Sequence, residues 1–338
     1  MTETLAAYSL VAIYSAIAVY ALAFIAFVLD LSKRAAVSQA IVAEPAVASA
    51  RARVGSTMVV ERGSTGSTVS TGSTTGGSTT GGSTIGGASR YQRVAFALTG
   101  LAWVIHVASI VVRGVAAGHV PWSNMFEFAS MGTAFMVAVF LAVQLWRDVK
   151  FVGAFVTGLV ALLLGLASVN FYVPITPLPP ALQSVWLVIH VFVATLASGF
   201  FAIGGGLSIA QLLQSRREAG KAEGLRFLRT FPSSEKLEFI ANRLIIVGFA
   251  FWTFTLMAGA IWAERAWGRY WGWDTKEVWT FIIWVVFAGY VHARATRGWR
   301  GNPSAWLAII GFGAVLFNFT VVNLFFSGLH AYSGLTNY

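Results

Sequence analysis

The chain has 338 residues, of which 57% are hydrophobic, 14% aromatic and only 11% charged. A soluble globular protein carries about 25% charged residues, so composition excludes an ordinary water-soluble enzyme, a disordered chain and a secreted disulfide scaffold. It implies instead an all-α fold, a polytopic bundle of transmembrane helices. Cysteine is absent, which removes disulfides, thiolate metal sites, iron–sulfur clusters and cysteine nucleophiles and leaves five histidines as the good nitrogen ligands.

Crossing the hydrocarbon core takes about 20 mostly apolar residues. Eight segments qualify, at 8–31, 94–115, 126–146, 151–171, 182–213, 244–263, 278–295 and 304–327. No basic residue precedes the first, and its apolar run is too long for a signal-peptide core, so residues 1–31 are expected to form an uncleaved anchor. Residues 32–93 break the pattern. Their middle, 63–87, reads GSTGSTVSTGSTTGGSTTGGSTIGG, a composition that buries no core and predicts a flexible cytoplasmic tether. The remaining spans fall in 94–338. With the N-terminus and the C-terminus both outside, 19 of the 23 basic residues lie in cytoplasmic loops, and Arg113, Arg265, Arg269 and Lys276 fall on the other side. That asymmetry is the positive-inside pattern. The net charge of +10 follows from topology and requires no nucleic-acid partner.

An ionisable side chain within a span is costly and is by default a functional candidate. His330 lies in the external tail, and His190 sits about 12 Å below the outer entry point of its span at a rise of about 1.5 Å per residue. Both can face the outer side of the bundle, and two neutral imidazoles are the standard means of holding a haem iron from both faces. His106 lies near mid-membrane, where a lone histidine most often hydrogen-bonds a neighbouring helix. His119, bracketed by Gly118 and Pro121, reads as a solvated loop residue off the helix that carries His106. His292 lies near the cytoplasmic end of its span. Its depth differs from that of His106 by on the order of 15 Å, too much for two ligands of one iron.

The most unusual stretch is WGRYWGWDTKEVW at 267–279, placed at an outer membrane boundary. An aromatic belt accounts for two or three such residues. It does not account for four tryptophans alternating with Gly268, Arg269, Gly272, Asp274 and Lys276. Flat indoles suit a large planar apolar ligand, and Arg or Lys suits carboxylates carried beside it. Asp274 is expected to cap the helix that follows.

This stretch, with WVVFAGYVHAR ending at Arg294, resembles the tryptophan-rich WWD domain of haem-handling proteins, with the external loop at 265–279. Taken with GHVPWSNMFEF (118–128), LQSVWLVIH (182–190) and NLFFSGLHAY (323–332), it is similar to the CcsA/ResC family of System II cytochrome c maturation. The likeness runs from about Tyr91 to the C-terminus, and the tether is peculiar to this chain. Thr275 departs from the family, which usually has proline there. The resemblance implies that 94–338 is a haem-handling domain and that His190 and His330 ligate one haem b beside the loop. It also implies that His292 holds haem nearer the cytoplasm, with the opposite ligand supplied by a CcsB/ResB-type partner, and that Trp267, Trp271, Trp273 and Asp274 complete the outer site. The expected function is the haem-ligating subunit of a holocytochrome c synthase. It would carry haem across a bacterial cytoplasmic membrane, with a thylakoid the lesser alternative, and present it to a CxxCH apocytochrome c. Rival readings are a haem chaperone or transporter without attachment activity, a b-type electron-transfer protein, and a scaffold with an aromatic belt and no haem.

Overall fold

A chain in hydrocarbon must satisfy its backbone polar groups internally, and an apolar run does so by coiling. A computed structural model describes residues 2–56, 89–221, 226–296, 299–326 and 328–330. All regular structure among them is helical: α1 (Thr2–Ser56), α2 (Arg90–Ala117), α3 (Met125–Val143), α4 (Gly153–Asn170), α5 (Val185–Glu218), α6 (Ser234–Trp267), α7 (Thr275–Ala295), α8 (Asn302–Phe319) and the short α9 (Val321–Phe325). Among the described residues, eight helical segments are long and apolar enough to cross a membrane, as the sequence predicts.

Boundaries differ from the hydropathy reading where helix continues into polar sequence. The α1 backbone runs past Leu31 to Ser56, so helix occupies the first part of the segment expected to be a tether. The Gly/Ser/Thr repeat at 63–87 lies outside the described residues. Helix α6 reaches Trp267 and α7 begins at Thr275, which shortens the expected 265–279 loop to 268–274. Backbone hydrogen bonding does not require apolar side chains, and hydropathy alone places a helix end too early.

Helix α5 is central and packs against α3, α6 and α8. The run Gly204-Gly205-Gly206 makes this possible. A Cβ on Gly204 would come within 2.6 Å of Ile245 on α6, one on Gly205 within 2.9 Å of Phe312 on α8, and one on Gly206 within 2.5 Å of Phe155 on α4. Small residues at helix contacts bring backbones close enough for van der Waals packing, the main attraction available where lipid is as apolar as the side chains. Phe201 on α5 stacks on Phe287 of α7 with ring centroids 3.7 Å apart. Large aliphatic groups such as Val104, Leu162 and Val169 are exposed on the outside of the bundle, as a lipid-facing surface requires.

Several polar groups inside this bundle are paired across helices. His106 is fully buried, with Nε2 3.2 Å from the Ser130 hydroxyl and Nδ1 3.4 Å from the Tyr20 hydroxyl. It is the interhelical hydrogen-bonding histidine that its isolated position predicts. His119 sits beyond the α2 cap at Gly118, off the helix of His106, with Nδ1 3.0 Å from the Val120 carbonyl. Arg113 on α2 donates from Nε to Glu127 on α3 at 2.7 Å and from Nη2 to the Val173 carbonyl at 2.8 Å. Ser123 donates to the other Glu127 oxygen from its backbone N–H at 2.9 Å and its hydroxyl at 2.7 Å. Both charges are buried, so removing one strands the other. Arg113→Ala is expected to destabilise the detergent-solubilised protein by about 3–5 kcal/mol, read as a lowered denaturation midpoint. An unchanged midpoint would mean that water reaches Glu127.

Candidate functional site

The site is assembled from three places in the chain. His190 lies in the second turn of α5, a helix opened by the Ser184 hydroxyl, which accepts from the Trp186 N–H. Its Nδ1 donates to the backbone carbonyl of Thr255 on α6 at 3.0 Å. Helix α6 accommodates the ring because residue 259 is glycine: a Cβ there would lie 2.7 Å from His190 Cε1 and 2.8 Å from Nδ1. Just beyond it on α6, Trp262 is 2% exposed and anchored by its indole N–H to the Ala181 carbonyl at 3.0 Å. His190 stacks on Trp262 with centroids 5.9 Å apart and planes 17° apart.

His330 arrives from the tail. Its Nδ1 is 2.7 Å from Asp274 Oδ2. Trp262 and Trp267 pack edge-on to the imidazole at centroid distances of 5.4 Å and 4.8 Å. Asp274 occupies the N-cap of α7, where Oδ2 also accepts from the Lys276 N–H at 3.2 Å. The reciprocal half of the capping box is Glu277, whose Oε2 accepts from the backbone N–H groups of Asp274 at 3.0 Å and Gly272 at 2.8 Å. Asp274 is thus the cap that the sequence predicts and, in addition, a clamp: Oδ1 accepts from the Leu329 N–H at 3.0 Å. Gly328 lets the tail approach, since a Cβ there would collide with that carboxylate. Partial burial pushes the Asp274 carboxyl up, but the His330 contact and the Lys276 and Leu329 N–H groups outweigh it and hold it below its ordinary value.

His190 and His330 line one cavity together with Trp252, Trp262, Trp271 and Lys276. In both histidines Nδ1–H is committed to an oxygen acceptor, which leaves Nε2 as the lone-pair nitrogen available to a metal. Among the described residues no group of three or more His, Asp or Glu could cage a bare ion. Two imidazoles with free Nε2 beside indole faces fit an iron already held in a planar macrocycle.

The other candidates are placed differently. Trp271 lines the cavity, but Trp273 does not: with φ of 60° it turns outward, 74% exposed, and packs edge-on against Trp271. His292, near the end of α7, is outside the lining of this cavity. Trp262 and Gly259 are absent from the sequence reading because they sit within an apolar span. The five-residue step from Trp262 to Trp267 was the available signal.

The family model described as Cytochrome C assembly protein matches residues 120–330. The chain is 34% identical over 262 residues to a cytochrome c biogenesis protein CcsA of Prochlorococcus marinus, covering 70% of this chain and 82% of that one. It is 34% identical over 244 residues to the CcsA of Chlamydomonas reinhardtii, covering 70% and 67%. To the CcsA of Guillardia theta it is 34% identical over 262 residues, covering 72% and 86%.

Gly259→Ala tests how His190 is seated. Its methyl displaces the ring from the Thr255 carbonyl, and loss of such an orienting contact typically costs about 10–100-fold in metal-group affinity. If the cavity takes haem, titration of the purified variant should show a loss of that size; wild-type affinity would mean that the Thr255 contact does not orient His190 for a metal group.

Proposed function

The chain belongs to the CcsA family of cytochrome c assembly proteins, and from that premise we propose that it carries haem b to the outer face of the membrane and holds it for covalent attachment to apocytochrome c. The observation that carries this reading is the pair His190 and His330, each with Nδ1 tied to an acceptor and both lining one indole-walled cavity. Trp262 and Trp271 supply the aromatic wall, and Trp267, outside the lining, backs the His330 ring. The positive-inside asymmetry supports an outer-side position for this end of the bundle, and the Ala-, Arg- and Gly-rich composition favours a bacterial cytoplasmic membrane over a thylakoid.

The attachment chemistry belongs to the cargo and the acceptor. Each thiol of a CxxCH segment adds across a haem vinyl group, sulfur to one carbon and hydrogen to the other, with no net redox change. The residues described here contribute position: fixed imidazoles replace a bimolecular search with a held geometry, and the aromatic walls exclude water. The cysteine-free chain presents no competing thiol. His292, in the last turn of α7 and outside the outer cavity, is suited to share an iron with a ligand from a ResB-type partner, the expected inner station of the cargo. A resident b-type haem would call for a second imidazole at matching depth, and His106 is instead buried between Ser130 and Tyr20.

Absorption spectra of detergent-purified protein test the reading. Wild type from haem-replete cells should show six-coordinate low-spin haem, and His190→Ala and His330→Ala should each lose or convert the signal of the outer site. Unchanged spectra in both variants would overturn the assignment. Co-expression with a ResB-type partner and a CxxCH reporter separates attachment from handover: a covalent product is expected, and its absence with the spectra intact would leave a haem carrier.

A further inference from the structure

Three polar groups in the His190–His330 cavity are used by neither imidazole. Asn318 on α8 is 3% exposed, and its Oδ1 has no hydrogen-bond partner. Glu277 is 8% exposed; its Oε2 completes the capping box, but Oε1 has no partner. Lys276, in the first turn of α7, directs its ammonium to the side-chain oxygen of Asn323 on α9 and lies 5.8 Å from the centre of the Phe319 ring. No carboxylate among the described residues is within ion-pair distance of that ammonium, since Asp274 accepts from the Lys276 backbone instead. An ammonium in an aromatic pocket whose direct partner is a neutral carboxamide has donor capacity left for an anionic ligand.

Other outer-side cations are engaged or directed elsewhere. Arg113 is buried against Glu127, Arg265 pairs with Glu264 at 3.5 Å, and the Arg269 guanidinium lies across Gly272 outside the cavity lining. Lys276 is the cation that lines this cavity. Asn318 Oδ1 and Glu277 Oε1 are acceptors, so they meet a carboxylate only through a water or a carboxyl proton, and Lys276 is the cationic donor of the three. The cavity therefore has a polar corner where α7 and α8 meet, with Asn323 of α9 behind the Lys276 ammonium, and an aromatic wall at Trp262 and Trp271.

We infer that Lys276, steadied by Asn323, binds a propionate carboxylate of the porphyrin and so fixes which edge of the macrocycle enters the cavity first. This inference rests on the haem reading above and adds an orientation to it. Haem b carries its two propionates on one edge and its vinyls on the rest of the ring, so anchoring a propionate at the α7 corner directs the vinyl groups away from that corner. Iron ligation alone does not distinguish one in-plane rotation of the ring from another. Lys276 does.

Iron protoporphyrin IX and its dimethyl ester share the iron, the ring and the vinyls and differ only in the carboxylates. Titrating the purified full chain with each, followed at the low-spin Soret band, should show the diacid bound about tenfold or more tightly, the size expected for one charge-assisted hydrogen bond. Lys276→Met should lose that preference by weakening diacid binding alone, keep ester affinity, and keep the six-coordinate spectrum of whichever porphyrin is bound. Asn323→Ala should lose part of the preference. Equal wild-type affinities for diacid and ester, or a preference undiminished in Lys276→Met, would overturn the inference while leaving the haem reading in place. Failure of both porphyrins to give a six-coordinate spectrum in wild type would overturn the haem reading and this inference with it. The wild-type comparison needs no variant to fold, and melting of apo Lys276→Met shows whether its titration reports the site.

Discussion

One carboxylate organises the outer end of this bundle. Asp274 starts α7 by accepting from the Lys276 N–H, and it stops the C-terminal tail by accepting from the Leu329 N–H and holding His330 at 2.7 Å. A helix cap alone is satisfied by many residues. A cap that also accepts from an imidazole Nδ1 converts a local folding signal into a long-range one, because His330 is then fixed in both position and tautomer. His190 is fixed by different means, through a helix carbonyl and a glycine on α6 that makes room for the ring. Trp262 lies against both rings, so the two imidazoles converge on a wall that neither of their own elements provides.

Much of the architecture is legible from composition, since the bilayer dictates span length and the charge asymmetry dictates loop placement. The Asp274 cap is legible too, because capping joins residues only three apart. What sequence spacing cannot supply is the meeting of His190 and His330, 140 positions apart; the likeness to a known family supplies it, and packing against Trp262 gives it a physical basis. Trp262 itself is hidden because an aromatic at the end of an apolar run looks like a membrane anchor. Trp273 misleads in the opposite sense. Its place in a tryptophan-rich loop suggests a platform residue, but a left-handed backbone at that one position turns the ring outward. Asn318 and Asn323 are single amides in an apolar span, and nothing in their spacing assigns them to the site.

The helices that carry the site are held by an economy suited to lipid. Hydrophobic burial offers little net attraction there, so the Gly204–Gly206 run lets α5 approach α4, α6 and α8 closely, and paired polar groups such as Arg113–Glu127 and His106–Ser130 join α2 to α3. Helices α5 and α6 extend well beyond the hydrocarbon thickness at 34 residues each, and their outer ends present His190, Gly259 and Trp262 on the same side of the contact between them. A close helix pair of this kind holds a ligand more rigidly than loops can. The tail, tied through Asp274, closes the site.

Electron paramagnetic resonance of the ferric, haem-loaded chain tests the convergence of the two imidazoles most directly, because the spectrum reports the ligands on the iron themselves. The account predicts a low-spin signal of two-imidazole ligation that becomes high-spin or changes ligand class when either His190 or His330 is replaced. A high-spin wild-type signal, or a two-imidazole signal that survives loss of either residue, would contradict it.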